Sequence, residues 1–378
     1  LNVTLGTGGT LSSSPAVDAS TPTPLVKGNG SIAFATVGGT DWAKVSGGTV
    51  VGFAPADYVV GLPDLGIIST ANYIHTVTTS ETVNTLNLTN TIAGQALAIS
   101  AGQALTLNAG GLLFVGGNDY SITGGTLQGA GGTGELVVHQ FGSGNLTIAS
   151  ALPSTTTLTK TGPGTLTLAN ANTYTGATYA GGGGTLVLKN QLALQNSALT
   201  VDNSSLVFDS SVSGNAFTIG GLSAPYGGPG FDIGLTNSAG TPIALTIGNN
   251  NSSGNYSGTL SGPGSLIKVG TGTQNMFGLN TYTGGTVISN GTLQCNLAFN
   301  EWFLGGGGPN GTVQVTVYSG GTLGLNRGAI NGTLNLNGSG DVGSSGARLN
   351  TAVTTDVRAI DGRLGARRAG GGLYLSST

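Results

Sequence analysis

The chain has 378 residues, 71 of them Gly, with 38% hydrophobic residues, only 7% charged residues and a formal net charge of −3. So little charge beside that much apolar content excludes a solvated disordered chain, and Gly without a three-residue period excludes collagen. The near-neutral balance excludes strong steering toward nucleic acid or an anionic membrane, and no apolar run reaches the length of about 18 residues that a membrane-spanning helix needs.

The opening Leu1-Asn-Val-Thr has neither an initiator Met nor a basic and apolar leader, and reads as a processed product or an internal piece. Residues 1–82 form a leading segment. Within it, residues 31–64 hold Trp42, two Phe, Tyr58 and four charged residues, and read as an insertion or a differently wound stretch. From Thr85 onward, short segments alternate: Thr85-Leu-Asn-Leu-Thr, Gln95-Ala-Leu-Ala-Ile-Ser, Asn145-Leu-Thr-Ile-Ala and Thr165-Leu-Thr-Leu, then Ala198-Leu-Thr-Val-Asp, Ala244-Leu-Thr-Ile-Gly and Thr333-Leu-Asn-Leu-Asn. Leu, Val or Ile at every second position, with Thr or Asn between, is the pattern of a strand buried on one face. Leu192-Ala-Leu-Gln-Asn-Ser-Ala-Leu is the one stretch that could make a helical turn, and it also reads as strand and loop. Gly-Thr-Leu recurs at Gly9, Gly125, Gly164, Gly184, Gly258, Gly291, Gly321 and Gly332, each time marking a turn that hands over to a strand. Residues 222–242, rich in Gly and Pro, predict a longer loop.

One stretch returns. Lys160-Thr-Gly-Pro-Gly-Thr-Leu-Thr-Leu-Ala-Asn-Ala-Asn-Thr-Tyr-Thr-Gly176 maps onto Lys268-Val-Gly-Thr-Gly-Thr-Gln-Asn-Met-Phe-Gly-Leu-Asn-Thr-Tyr-Thr-Gly284, and the following Gly-Thr-Leu maps with one residue lost. Stacked units that touch only their neighbours produce such a repeat. Short strands and Gly or Asn turns, without hairpin dipeptides at regular spacing, predict a chain that winds rather than folds back. The expected fold is therefore all-β, a parallel β-helix (β-solenoid) with Gly/Asn-rich turns, right-handed by the default of parallel crossovers. At about 20 residues per coil, it would make roughly 18 coils. The expected organisation is 1–82 leading segment, 83–318 β-helix with repeat copies at 160–188 and 268–294, and 319–378 C-terminal coils with an Arg-rich end.

The two copies resemble the autotransporter-associated β-strand repeat, also called the passenger-associated transport repeat, whose pattern is approximately K-x-G-x-G-x-L-x-L-x-x-x-N-x-Y-x-G-x-T followed by G-x-L. Lys160, Asn172, Tyr174 and Gly176 match in the first copy, and Lys268, Asn280, Tyr282 and Gly284 in the second. The first copy departs at Ala177, where Gly is usual, and the second at Gln274-Asn-Met-Phe, where Leu-Thr-Leu is usual. The resemblance implies an extracellular β-helix at a bacterial cell surface, often the passenger of a type V secretion system. It speaks to fold and location more than to chemistry.

No constellation of reactive groups stands out, and no catalytic, cofactor-binding or metal-binding residue is assigned. Asp202 with Asp209, and Asp356 with Asp361, are the closest carboxylate pairs; they would be the acids of a carbohydrate-active β-helix, a lyase or hydrolase, but read first as turn caps and solvated partners of Arg358 and Arg363. His75 and His139 stand apart from any nucleophile. Gly227-Gly-Pro-Gly-Phe-Asp-Ile matches a calcium-binding nonapeptide once, whereas such sites need stacked copies, and Gly129-Ala-Gly-Gly-Thr-Gly lacks the helix a phosphate loop requires. The single Cys295 rules out an intrachain disulfide and reads as a small buried residue. Tyr174 and Tyr282 read as packing residues of their turns. Five of the six Arg fall at 348–368, namely Arg348, Arg358, Arg363, Arg367 and Arg368, and mark a cap or an assembly contact. The expectation is a non-enzymatic surface protein that self-associates into a filament or layer, with extracellular glycans as another class of partner; the alternatives are the carbohydrate-active enzyme and a monomeric glycan-binding passenger.

Overall fold

The computed structural model describes residues 75–296 apart from 91, 130–133, 155 and 226–230, together with 2–3, 35–46, 49–54, 59–60, 66–69, 313–326, 329–330, 332–336, 341–345, 348–349, 365–369 and 372–376. Among these residues, regular structure is strand, apart from a single 3-10 turn at Ser213–Asn215. The chain divides into two compact units, Leu1–Val187 and Leu188–Thr378.

In the first unit, successive strands pair in parallel with the strand one coil on. Leu86 pairs with Leu112, Leu112 with Val138, Val138 with Lys160 and Lys160 with Ala180. All five point inward and are buried. A second inward column runs Leu97, Ile122, Ile148, Leu168. The second unit repeats the plan: Phe217, Leu245, Leu266, Thr286 and Val315 form one column, and Ile247, Lys268, Ile288 and Val317 the next. On another side of the coil Tyr256, Met276 and Cys295 stack. Period-two alternation does this: the strand turns every second side chain inward, and each buried aliphatic one contributes about 1.5–3 kcal/mol.

The expected parallel β-helix is what forms, and its described coils run longer than the predicted length of about 20 residues. Partners along the first column lie 26, 26, 22 and 20 residues apart, and along the second unit's 28, 21, 20 and 29 apart. The winding makes about ten turns among the described residues. The 20-residue spacing appears in the coils that hold the repeat, and the larger spacings elsewhere are not encoded by period-two alternation. Leu192 onward is not helical: Leu194–Asp202 is a strand paired with Ala216–Ser223.

The aromatic-bearing stretch leaves the parallel scheme. Asp41–Ser46 pairs antiparallel with both Thr36–Val37 and Thr49–Gly52. Its Trp42 is fully buried with Phe53 against Ala109, Leu113, Val115 and Phe141 of the coils. In the Gly/Pro-rich stretch, Ile233–Gly234 pairs with Leu260–Ser261, and residues 226–230 lie outside the described residues.

Candidate functional site

The two repeat copies make one local structure twice, and it begins with a lysine in an aliphatic column. In Thr157-Leu-Thr-Lys, Leu158 faces inward, so Lys160 two residues on must do so too; Leu266 and Lys268 repeat this. Both lysines are fully buried. A buried ammonium is costly unless it is hydrogen-bonded, and here the Gly-rich turn supplies carbonyl acceptors. Lys160 Nζ donates to the Gly162 carbonyl at 2.6 Å. Lys268 Nζ donates to the carbonyls of Val269 at 2.6 Å, Gly270 at 2.8 Å and Asn290 at 3.2 Å. Gly162 and Gly270 have φ of 88° and 67°, a conformation that suits glycine. Burial lowers both ammonium groups from 10.5 to a pKa of about 8.

The glycine of the trailing Gly-Thr-Leu passes directly over this turn. A Cβ on Gly184 would stand 2.1 Å from Lys160 Nζ and 2.2 and 2.5 Å from the carbonyl oxygens of Gly164 and Gly162. A Cβ on Gly291 would stand 2.3 and 2.6 Å from those of Gly270 and Gly272. Only hydrogen fits between lysine turn and next coil.

The remaining motif residues tie each coil to its predecessor. Asn172 Oδ1 accepts the Leu152 N–H at 3.0 Å, and Asn280 Oδ1 accepts the Leu260 N–H at 2.9 Å, each reaching back 20 residues. Asn280 Nδ2 also donates to the Gly278 carbonyl at 3.1 Å. Tyr174 and Tyr282 are buried, with hydroxyls bonded to Thr178 at 2.7 Å and Thr286 at 2.5 Å. Burial raises the Tyr282 phenol, against the lowering effect of Thr286, and neighbouring Cys295 raises it further. Gly176 and Gly284 sit where a Cβ would meet the carbonyl oxygens of Thr156 at 2.3 Å and Gly264 at 2.5 Å.

The departures between copies have local explanations. Ala177 and Gly285 stand at equivalent places, and their carbonyls accept equivalent bonds, from Leu158 at 3.0 Å and Leu266 at 3.1 Å. Gln274 is buried and donates through Nε2 to the Leu222 carbonyl at 2.8 Å, while its Oε1 accepts the Leu222 N–H at 3.4 Å; its amide pairs with that backbone as a neighbouring strand would.

The other candidate residues, where described, lie in separate local settings. Asp209 Oδ1 accepts the Ser211 N–H at 2.8 Å and caps its turn. Burial works to raise its pKa, but the Ser211 bonds and the charge of Lys189 outweigh it and hold the carboxyl below its ordinary value. Asp202 ends the strand Leu194–Asp202 and is half-buried. His139 is buried, stacked on Phe141 at 6.2 Å and edge-on to Trp42 at 5.5 Å. Asp232 accepts the Thr259 N–H at 2.9 Å; Gly227 to Gly230 of its nonapeptide lie outside the described residues, as do most of the Gly129 to Gly134 loop, Asp356, Asp361, Arg358 and Arg363. Arg348 lies on Arg348–Leu349, which pairs parallel with Ala329–Ile330, and Arg367 and Arg368 lie on Gly365–Ala369, antiparallel to Gly372–Ser376. Among the described residues no three His, Cys, Asp or Glu gather as a metal site would require, and no helix is long and apolar enough to cross a membrane. Cys295 is buried, which pushes its thiol up to about 12.

Two pairs of contributors were missed as site residues: Thr178 and Thr286, which hold the tyrosines, and Gly184 and Gly291, which close over the lysine turns. The closing Thr and the Gly-x-Leu of the pattern carried that signal. The burial of the lysines was also legible, in Leu158 and Leu266 two positions earlier.

The family described as passenger-associated transport repeat matches the chain at residues 158–188 and 266–294, which are the two stretches just described. No curated protein and no solved structure matches the chain.

Proposed function

We propose that the protein is a non-enzymatic, passenger-like β-solenoid displayed at or released from a bacterial surface, with a structural role that includes association with further copies of itself. The observation that supports this reading best is the pair of transport-repeat matches, each lying on a lysine, asparagine and tyrosine staple that closes one coil onto another. Every polar group of that staple is engaged with the chain's own backbone or hydroxyls. Its chemistry is therefore that of holding a coil together rather than of acting on a substrate.

The outward faces favour contact without charge. On one side of the second unit, side-chain amides form a ladder from Asn255 to Asn275 at 2.8 Å and from Asn275 to Asn296 at 3.0 Å. Such polar, uncharged rows suit lateral packing of solenoid on solenoid, and the strands bearing Arg348, Arg367 and Arg368 are the first place to look for an end contact. The test is protease shaving of intact producing cells, followed by negative-stain microscopy and light scattering of purified protein. Shaved cells should lose the chain, and the pure protein should form filaments or sheets. Protection of the chain inside intact cells would overturn the surface reading, and monodisperse monomer at high concentration would overturn the self-association.

A further inference from the structure

The second copy contains a chemical arrangement that the first lacks. The lysine turn there reaches Asn290, which is exposed and is followed by Gly291 at φ 64°. The Gly291 N–H lies 2.7 Å from the Asn290 side-chain oxygen Oδ1. With a C=O bond of about 1.2 Å, this bounds the Gly291 nitrogen to within about 3.9 Å of the Asn290 Cγ; a near-attack pair stands at about 3–3.5 Å, so a turn of the exposed side chain that aims Cγ instead of Oδ1 at the nitrogen completes the approach. Gly291 has no side chain to obstruct ring closure. Lys268 Nζ, buried and donating to the carbonyl of Asn290 itself at 3.2 Å, polarises the same peptide group. One contact opposes reaction: the Gly291 N–H also donates to the Gly320 carbonyl at 2.9 Å.

We infer that Asn290 is a site of self-catalysed deamidation, with Lys268 as the group that activates the Asn290–Gly291 peptide. The Gly291 nitrogen gives up its proton and attacks Asn290 Cγ. The N–Cγ bond forms, the Cγ–Nδ2 bond breaks, and the side-chain nitrogen leaves with that proton as ammonia. The five-membered succinimide then takes up one water at either carbonyl, yielding Asp or isoaspartate. Water is the sole co-reactant and no electrons change hands. Lys268 acts by stabilising negative charge on the Asn290 carbonyl oxygen as the adjoining N–H is lost. The isoaspartate product adds a methylene to the backbone where Gly291 and Thr292 pair with Gly321 and Thr322, so it alters the ladder at that coil.

The experiment is peptide mapping of the full chain, folded and in urea, with isoaspartate quantified at position 290 over time at neutral pH. The folded chain should convert Asn290 at least as fast as the unfolded one, although strand pairing ordinarily protects an amide. Lys268→Met should slow the folded reaction by about tenfold, the value of one charge-assisted hydrogen bond to the reacting peptide. Asn290→Gln, whose ring would need six members, should abolish product. Slower conversion in the folded unaltered chain than in urea overturns the proposal, and this comparison needs no variant to fold. An unchanged rate in folded Lys268→Met removes the activating role.

Discussion

Replacing Gly184 by Ala tests the lysine turn most directly. The added Cβ would stand 2.1 Å from Lys160 Nζ and 2.2 and 2.5 Å from two backbone carbonyl oxygens. The lysine end can swing away, but the two carbonyls belong to the turn and can move only with it. Forcing a methyl into a packed position costs about 1–3 kcal/mol. Displacing the ammonium from the Gly162 carbonyl removes a charge-assisted bond of about 1.5–3 kcal/mol. The expected loss is therefore about 4 kcal/mol, a large share of a domain's usual 5–15 kcal/mol. Gly102→Ala is the control: φ there is 75° and nothing lies within 4 Å, so backbone strain of about 1–2 kcal/mol is the whole effect. Urea denaturation followed by circular dichroism reads both. In a Lys160→Met background the Gly184→Ala penalty should shrink by about 1.5–3 kcal/mol, because no charge-assisted bond is left to displace while the clash with the two carbonyls remains. A Gly184→Ala loss no larger than that of Gly102→Ala would refute the close-approach account.

Tyr282→Phe should destabilise the chain by about 1–2 kcal/mol, because it leaves the Thr286 hydroxyl buried without its phenol partner; urea midpoints check it. Asn280→Ala should cost about 1–3 kcal/mol by orphaning the buried Leu260 N–H, and Asn280→Asp, which keeps an acceptor, should recover part of that. Stability should rise between about pH 8 and 9: the folded lysines titrate near 8 while unfolded ones hold their protons to 10.5, so the unfolded chain binds more protons in that window. Above pH 9 the rise should become shallower, because unfolded Cys295 loses its proton near 9 while the folded thiol keeps it to about 12, and this one group offsets part of the two lysines' proton difference. The Lys160→Met, Lys268→Met double variant should flatten the rise, as pH-dependent urea midpoints would record. Folded chain should resist iodoacetamide at Cys295 and react once unfolded, read by mass spectrometry.

Much of this architecture was legible before any coordinates. Period-two alternation demands strands buried on one face, turn glycines between them leave no length for helices, and a repeat that keeps register from Lys160 to Tyr174 and from Lys268 to Tyr282 demands stacked coils. Even the inward lysines follow from Leu158 and Leu266 standing two positions before them. Coil length was not legible, because period-two alternation within a strand does not say how many residues separate one strand from its partner in the next coil: 20 from Leu266 to Thr286 but 29 from Thr286 to Val315. Nor was the reach of Asn172 to Leu152 or Asn280 to Leu260, since a side-chain amide shows no partner until the preceding coil is in place. The antiparallel turn-back around Trp42 is a third case: its aromatic residues advertised burial, but the surface that buries them is Ala109 and Leu113, supplied by coils more than fifty residues later. The sequence by itself determined that the chain winds, through side-chain alternation within each strand. Tertiary structure decided which residues meet across coils, because those contacts exist only once strands distant along the chain are laid side by side.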